Sequence, residues 1–309
     1  MVVVAFLAFF LFRFAGDPVA QMVGAETSLV DQARIRQELG LNDPFPMQFM
    51  RFVGDIATGN FGFSFRTRQP IGEMLISRLP ATIELGTVAL LVSLLVGIPA
   101  GIYAAVRPNS AGSQALLITT LIGVSIPTFV IGIVLIFLFG VYLGWLPTFG
   151  RGETVEIGWW RSNLFTLDGW RSLVLPAITL GLYQLTLTMR LVRSEMMEVM
   201  RTDFIRFATA RGIPYRSLLF RHALGNTMIP VVTIVGLQFG GVIAFSIVTE
   251  SVFQWPGMGL LFLESIRYVD IPVMAVYLVV VALVFVLINL AVDVLYFAID
   301  PRIRVRAAL

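Results

Sequence analysis

Five apolar stretches, each long enough to cross a bilayer, constrain this chain more than any other feature. They run over approximately residues 83–106, 115–144, 173–193, 227–249 and 272–298. A hydrocarbon core of roughly 30 Å takes about 20 apolar residues as a helix. A sixth stretch, MVVVAFLAFFLFRFAG at 1–16, is shorter and ends near Arg13, whose guanidinium can snorkel to the interface. It lacks the basic residues that precede the apolar part of a signal peptide. It is therefore expected to be a first transmembrane helix, shortened at its start. The expected fold is an all-α polytopic membrane protein with six transmembrane helices. It comprises the short helix at 1–16, an external helical segment at 17–80, a transmembrane core at 81–299 and a cytoplasmic tail at 300–309.

Arginine placement sets the orientation. The gaps 17–80, 145–172 and 251–271 hold 10 Arg and 12 acidic residues, whereas 107–114, 190–226 and 300–309 hold 11 Arg and 4 acidic residues in half the length. The Arg-dense side is expected to be cytoplasmic, with both termini inside. In the external segment, Ser28 and Asp31 read as a helix start and Gly40 as its stop. Leu29, Ala33, Ile35 and Leu39 lie on one side of that helix. Pro44 and Pro46 open a second helix in which Phe49, Met50, Phe52, Val53 and Ile56 recur at helical spacing.

What the chain lacks narrows its chemistry. It has no Cys, and its 22 basic residues are all Arg. A phosphate-binding P-loop needs a Lys to reach the nucleotide phosphates, so any ATP that drives this protein is bound by a partner. His222 is the one histidine, which excludes His-cluster metal sites and leaves it as a packing residue. A net charge of +3 spread through the chain gives no nucleic-acid face. Gly97 and Gly101, and Gly236 and Gly240 with Gly241 beside them, have the spacing that lets membrane helices approach closely. Pro99 and Pro127 are expected to kink their helices. The five Trp residues, in external loops, read as an aromatic belt.

Between the fourth and fifth long stretches, Arg201, Arg206, Arg211, Arg216 and Arg221 recur every fifth residue. Five residues turn an α-helix through about 500°, so one long helix would carry no single basic face. The breakers divide the segment instead. Thr202 or Asp203 can cap a short helix. Phe204, Phe207 and Ala208 form its apolar stripe, flanked by Arg206 and Arg211. Gly212 suits the residue after its end, and Pro214 prevents continuation. A second short helix then starts at Pro214 and stops at Gly225. Three roles suit such an amphipathic helix: lying on anionic lipid, capping the bundle, or docking into a groove on a soluble partner.

The stretch RFATARG followed by IPYRSLLFRHALGNTMIPVV, at 206–232, resembles the cytoplasmic coupling-loop signature of ABC-importer permeases, in the dipeptide/oligopeptide branch. GDPV at 16–19, LGLNDPFPMQFMRFVGDIATGNFGFSF at 39–65 and RLPATIEL at 78–85 resemble that branch in the same order. So do VTESVFQWPGMG at 248–259 and INLAVDVLYFAIDPRIR at 288–304. The broad signature opens Glu-Ala-Ala where this chain has Arg206-Phe207-Ala208, and its Ile-Pro lies further on, at Ile229-Pro230. The resemblance implies that loop 196–226 carries a coupling helix containing Thr202, Asp203, Phe204, Arg206, Phe207, Ala208, Arg211 and Gly212, seated in a cleft of an ATPase subunit. It also implies a second homologous permease, two cytoplasmic ATPases that hold ATP and Mg, and an external substrate-binding protein. The setting it implies is a bacterial cytoplasmic membrane, with no cofactor on this chain.

Gln184, Thr188, Gln238 and Asn289 are candidates for lining a solute path, and interhelical hydrogen bonding accounts for them equally well, as it does for Thr186. Asp293, a turn beyond Asn289, is expected to find a hydrogen bond or an Arg partner. A stand-alone secondary transporter or channel is the alternative function, although no self-sufficient set of intramembrane charges supports it. A membrane enzyme would need a nucleophile–base pair or paired acids, and the sequence shows neither.

Overall fold

The computed structural model describes residues 1–14, 19, 29–38 and 41–299. The helices are α1 (Val2–Phe14), α2 (Leu29–Glu38), α3 (Phe45–Ala57), α4 (Ile71–Val106), α5 (Ala111–Ser125), α6 (Thr128–Tyr142), α7 (Leu167–Val199), α8 (Asp203–Ala210), α9 (Tyr215–Val252), α10 (Met258–Arg267) and α11 (Ile271–Ile299). A hairpin of β1 (Val155–Ile157) and β2 (Trp160–Ser162) lies between α6 and α7. That hairpin departs from an all-α chain. Its cause is local: Val155 and Ile157 alternate with polar residues, and Gly158 takes φ +61° in the two-residue connection.

Among the described residues, four helices, α4, α7, α9 and α11, are long and apolar enough to span a membrane. The expected third span is not one kinked helix. It divides into α5 and α6, bent by 106° at Ser125–Pro127. Pro127 removes a donor and holds its predecessor extended, with Ile126 at ψ 129°. Pro99, by contrast, sits inside α4 without breaking it. Helix α1 has 13 residues, about 20 Å at 1.5 Å per residue, which falls short of a full crossing.

The chain divides into two compact units. The first comprises Met1–Thr82, Glu156–Ser162 and Pro256–Val284. In it, Phe9 of α1 meets Phe45, Phe49 and Phe52 of α3 at ring distances of 5.1–5.6 Å. Met50 and Val53, expected on the same face, are exposed. Pro44 occupies the position before α3 and Pro46 its first turn, as the sequence implied. The expected cap at Ser28 and stop at Gly40 lie outside the described residues.

The second unit comprises Ile83–Val155, Asn163–Trp255 and Phe285–Leu309. Glycine contacts set its helix crossings. A Cβ on Gly101 would lie 2.7 Å from both the Met189 carbonyl and Val192 Cβ, and one on Gly181 would lie 2.8 Å from the Ala89 carbonyl. Helices α4 and α7 therefore touch backbone to backbone. Between α9 and α11, Gly236 and Gly240 instead make room for side chains, those of Val292 and Phe285. Gly241 meets nothing within 4 Å. Gly101→Val is expected to lower the melting temperature of the purified protein sharply, by overpacking worth about 1–3 kcal/mol or more. Gly241→Ala is expected to leave it unchanged or raised. Equal melting temperatures for both would show that the close approach does not matter.

Candidate functional site: the short helix between α7 and α9

Helix α7 ends at Val199, and a tight turn leads into α8. Thr202 is extended at the start of α8, but its hydroxyl donates to the Val199 carbonyl at 2.7 Å and so closes the preceding helix instead of capping α8. Asp203 opens the first turn and pairs with Arg206 at 3.3 Å; both are exposed, so the pair contributes little.

The two sides of α8 differ. Ile205 and Ala208 are buried in one cluster with Val192 and Met196 of α7 and with Leu218, Leu219 and Ala223 of α9. Phe204 and Phe207 are 46% and 64% exposed. Phe204 lies edge-on to His222 at 6.0 Å, and the Arg211 guanidinium stands 5.6 Å above the Phe207 ring. The apolar stripe expected over Phe204, Phe207 and Ala208 is thus split. Ala208 joins Ile205 on the bundle side, while the two phenylalanines face outward beside Arg206 and Arg211. Sequence reasoning missed Ile205, although its i, i+3 spacing with Ala208 was the available signal.

The end of α8 is closed in full. Gly212 takes φ +75°, its N–H donates to the Thr209 carbonyl at 3.0 Å, and the Ile213 N–H reaches back to the Ala208 carbonyl at 3.3 Å. Ile213 then packs on the same buried cluster as Ala208. These are the paired bonds of a helix ended by a left-handed residue, with the apolar contact that accompanies them. Pro214 follows with φ −56° and ψ 138°, just ahead of α9.

The second short helix does not stop at Gly225. It continues as α9 to Val252, because Leu219, Ala223, Thr227, Val231 and Val235 bury one continuous side at four-residue spacing. A mid-helix Gly costs only about 1 kcal/mol, too little to end a helix held by such a stripe. Leu218–Ala223 is wound as a π-helix, a form frequent near functional sites.

The candidate path residues are distributed differently. Gln184 of α7 donates to Gln238 of α9 through their side-chain amides, which ties the two helices together. Thr186 donates to the Leu182 carbonyl. Thr188 is buried against Gly97, and its hydroxyl has no partner among the described residues. Asn289 is half-buried with an unpartnered Oδ1. Asp293 is exposed and has no ion pair or hydrogen bond among the described residues, so its expected pairing is not seen there.

A second polar centre went unread. Glu84 and Arg151 form a 2.6 Å ion pair with side chains 4% and 7% exposed. The Asn163 N–H also donates to Glu84, at 3.3 Å, and the Asn163 amide donates to the Gly169 carbonyl at 3.1 Å. Trp255 lies beside Arg151 and is fully buried, so it is no part of an aromatic belt. Glu250 is wholly buried too and accepts from Ser246 at 3.0 Å.

Helix α8 thus presents an exposed aromatic and cationic face while its other side is fixed to the bundle. Residues 97–305 match the family model described as the inner membrane component of binding-protein-dependent transport systems, and residues 1–86 match that of the N-terminal part of such a membrane component. The chain belongs to this family.

Its relatives are permeases of ABC transporters. The dipeptide transport system permease protein DppB of Alkalihalophilus pseudofirmus is 39% identical, covering 94% of this chain and 90% of that protein. The probable peptide ABC transporter permease protein y4tP of Sinorhizobium fredii is 38% identical over 98% and 95%. The glutathione transport system permease protein GsiC of Escherichia coli strain K12 is 37% identical over 98% and 94%. Among solved structures, a chain of the inward-facing MetNI methionine ABC transporter matches with a TM-score of 0.59 and 18% identity, covering 75% of this chain and 99% of that one. That last likeness is one of fold. This chain is a multi-pass membrane permease.

Proposed function

We propose that this permease forms half of the membrane core of an importer for dipeptides, oligopeptides or similar small solutes. It pairs with a second homologous permease, with two cytoplasmic ATPases that bind ATP and Mg, and with an external substrate-binding protein. The observation that carries this reading is α8. One side is fixed to α7 and α9 through Ile205 and Ala208, and the other presents Phe204 and Phe207 between Arg206 and Arg211. Exposed aromatic residues beside arginine are the composition of interface hot spots. Closure of the ATPases would push α8, and the buried cluster would pass the displacement to both long helices.

In this reading α1, too short by itself for a full crossing, is the shortened first span; α4, the bent pair α5–α6, α7, α9 and α11 make the other five, with α8 and both termini in the cytoplasm. Path-lining by Gln184, Thr188, Gln238 and Asn289 would require the Gln184–Gln238 bond to open. The relatives' names support the substrate class.

Reconstitution tests the whole. Proteoliposomes holding this chain, the second permease and both ATPases, with internal ATP and external binding protein, are expected to accumulate a labelled dipeptide. Omitting ATP or either ATPase is expected to abolish accumulation. Uptake by this chain alone, without ATP, would replace the importer reading with that of a stand-alone transporter.

A further inference from the structure

A cleft of about 190 Å³ lies within the first unit, apart from α8. Arg66 and Thr67 reach it from the turn before α4, Arg78 from α4 itself, and Glu264 and Asp270 from α10 and the residue preceding α11. Opposite charges sharing so small a space ordinarily pair. Here neither arginine pairs with Glu264 or Asp270, and Glu264 makes no ion pair among the described residues.

The structure holds these charges apart. The Arg66 guanidinium is stacked on the Tyr268 ring, 3.4 Å from its centroid. Both Asp270 oxygens are occupied, one by the Ser64 hydroxyl and the other by the Phe65 N–H at 3.2 Å. Those bonds fasten the 64–69 turn to the start of α11. The backbone is left-handed at two non-glycine residues beside the cleft, Arg68 at φ +56° and Val269 at φ +57°. Such conformations persist only where the surroundings over-determine them. The cleft is therefore preset, with two guanidinium groups and one carboxylate, unpaired among the described residues, around an open space.

We infer that this cleft binds the zwitterionic main chain of an amino acid or short peptide. The carboxylate is held by Arg66 and Arg78, which suit it as planar donors, and the ammonium by Glu264. The volume fits that ligand. A cavity of about 150 Å³ takes a benzene, while drug-sized sites run to about 300–1,000 Å³, so an amino acid or a small dipeptide enters and a long peptide does not. The substrate class rests on the peptide-importer reading above. On the predicted orientation the cleft is external, where arriving solute would meet it first.

Equilibrium dialysis of labelled L-alanyl-L-alanine tests the assignment, using the four-subunit transporter in nanodiscs without binding protein. Saturable binding is expected. N-acetylated and C-amidated dipeptides should each compete about tenfold more weakly, the loss of one charged hydrogen-bonding group. Arg78→Gln and Glu264→Gln should each weaken binding by about the same factor, and Arg66→Gln, at an exposed position, provides a variant that does not threaten folding. Ile266→Ala, exposed on the same helix as Glu264, should change nothing. No saturable binding, equal competition by the blocked dipeptides, or indifference to all three charge substitutions would overturn the proposal. Uptake of the same dipeptide with binding protein and ATP reads the importer separately. Uptake without nanodisc binding removes the cleft alone, and binding without uptake removes dipeptide import alone.

Discussion

Glu84→Ala is expected to cost this permease more stability than any other single side-chain truncation outside its helix crossings. The carboxylate is buried, holds Arg151 at 2.6 Å and accepts the Asn163 N–H. Truncation leaves a guanidinium in a site that excludes water. Removing one partner of a buried pair typically costs about 3–5 kcal/mol, mostly the penalty on the charge that remains. The melting temperature of purified protein should fall accordingly, and the yield of assembled complex with it. Replacing both partners, as in Glu84→Leu with Arg151→Met, should recover most of the loss, because an apolar pair of similar volume removes the stranded charge. A double variant as unstable as Glu84→Ala would mean that the Asn163 contact, and not the ion pair, holds this region.

That pair also shows where sequence reading stopped. Glu84 opens an apolar run and Arg151 lies 67 positions later in a loop, so nothing local connects them. A lone acid at the mouth of a membrane helix announces that it needs a partner, but several external arginines were available. Trp255 failed for the same reason, since an aromatic near a membrane end reads as a belt residue until tertiary packing covers it. The glycine pairs were legible because a four-residue spacing of small residues has one dominant use in lipid. The end of α8 was legible because Gly212 and Pro214 act through backbone conformation, which depends on neighbours in sequence. Gly225 misled because the stripe from Leu219 to Val235 outweighs it. Likewise Phe204, Phe207 and Ala208 fell on one predicted stripe, yet an eight-residue helix lodged between two others buries only Ile205 and Ala208.

Gly212→Val is expected to separate ATP hydrolysis from import. A side chain at this position would meet nothing within 4 Å, so no clash complicates the result. The cost is conformational: the residue sits at φ +75°, where a non-glycine residue loses about 1–2 kcal/mol and a β-branched one more. If valine drives the residue out of the left-handed region, the Gly212 and Ile213 N–H bonds to Thr209 and Ala208 open together. The link between α8 and α9 then loses its fixed angle, while Ile205 and Ala208 still hold α8 in the buried cluster. The complex should therefore assemble and hydrolyse ATP, while uptake into proteoliposomes falls about tenfold or more, the factor that roughly 1.4 kcal/mol imposes on a two-state equilibrium. Gly212→Asn is the control, because asparagine tolerates the left-handed region and should keep most of the uptake. Normal uptake by the valine variant would show that the elbow need not be rigid. Equal loss in both variants would show that the requirement at 212 is for space against the docked ATPase, and not for a left-handed backbone.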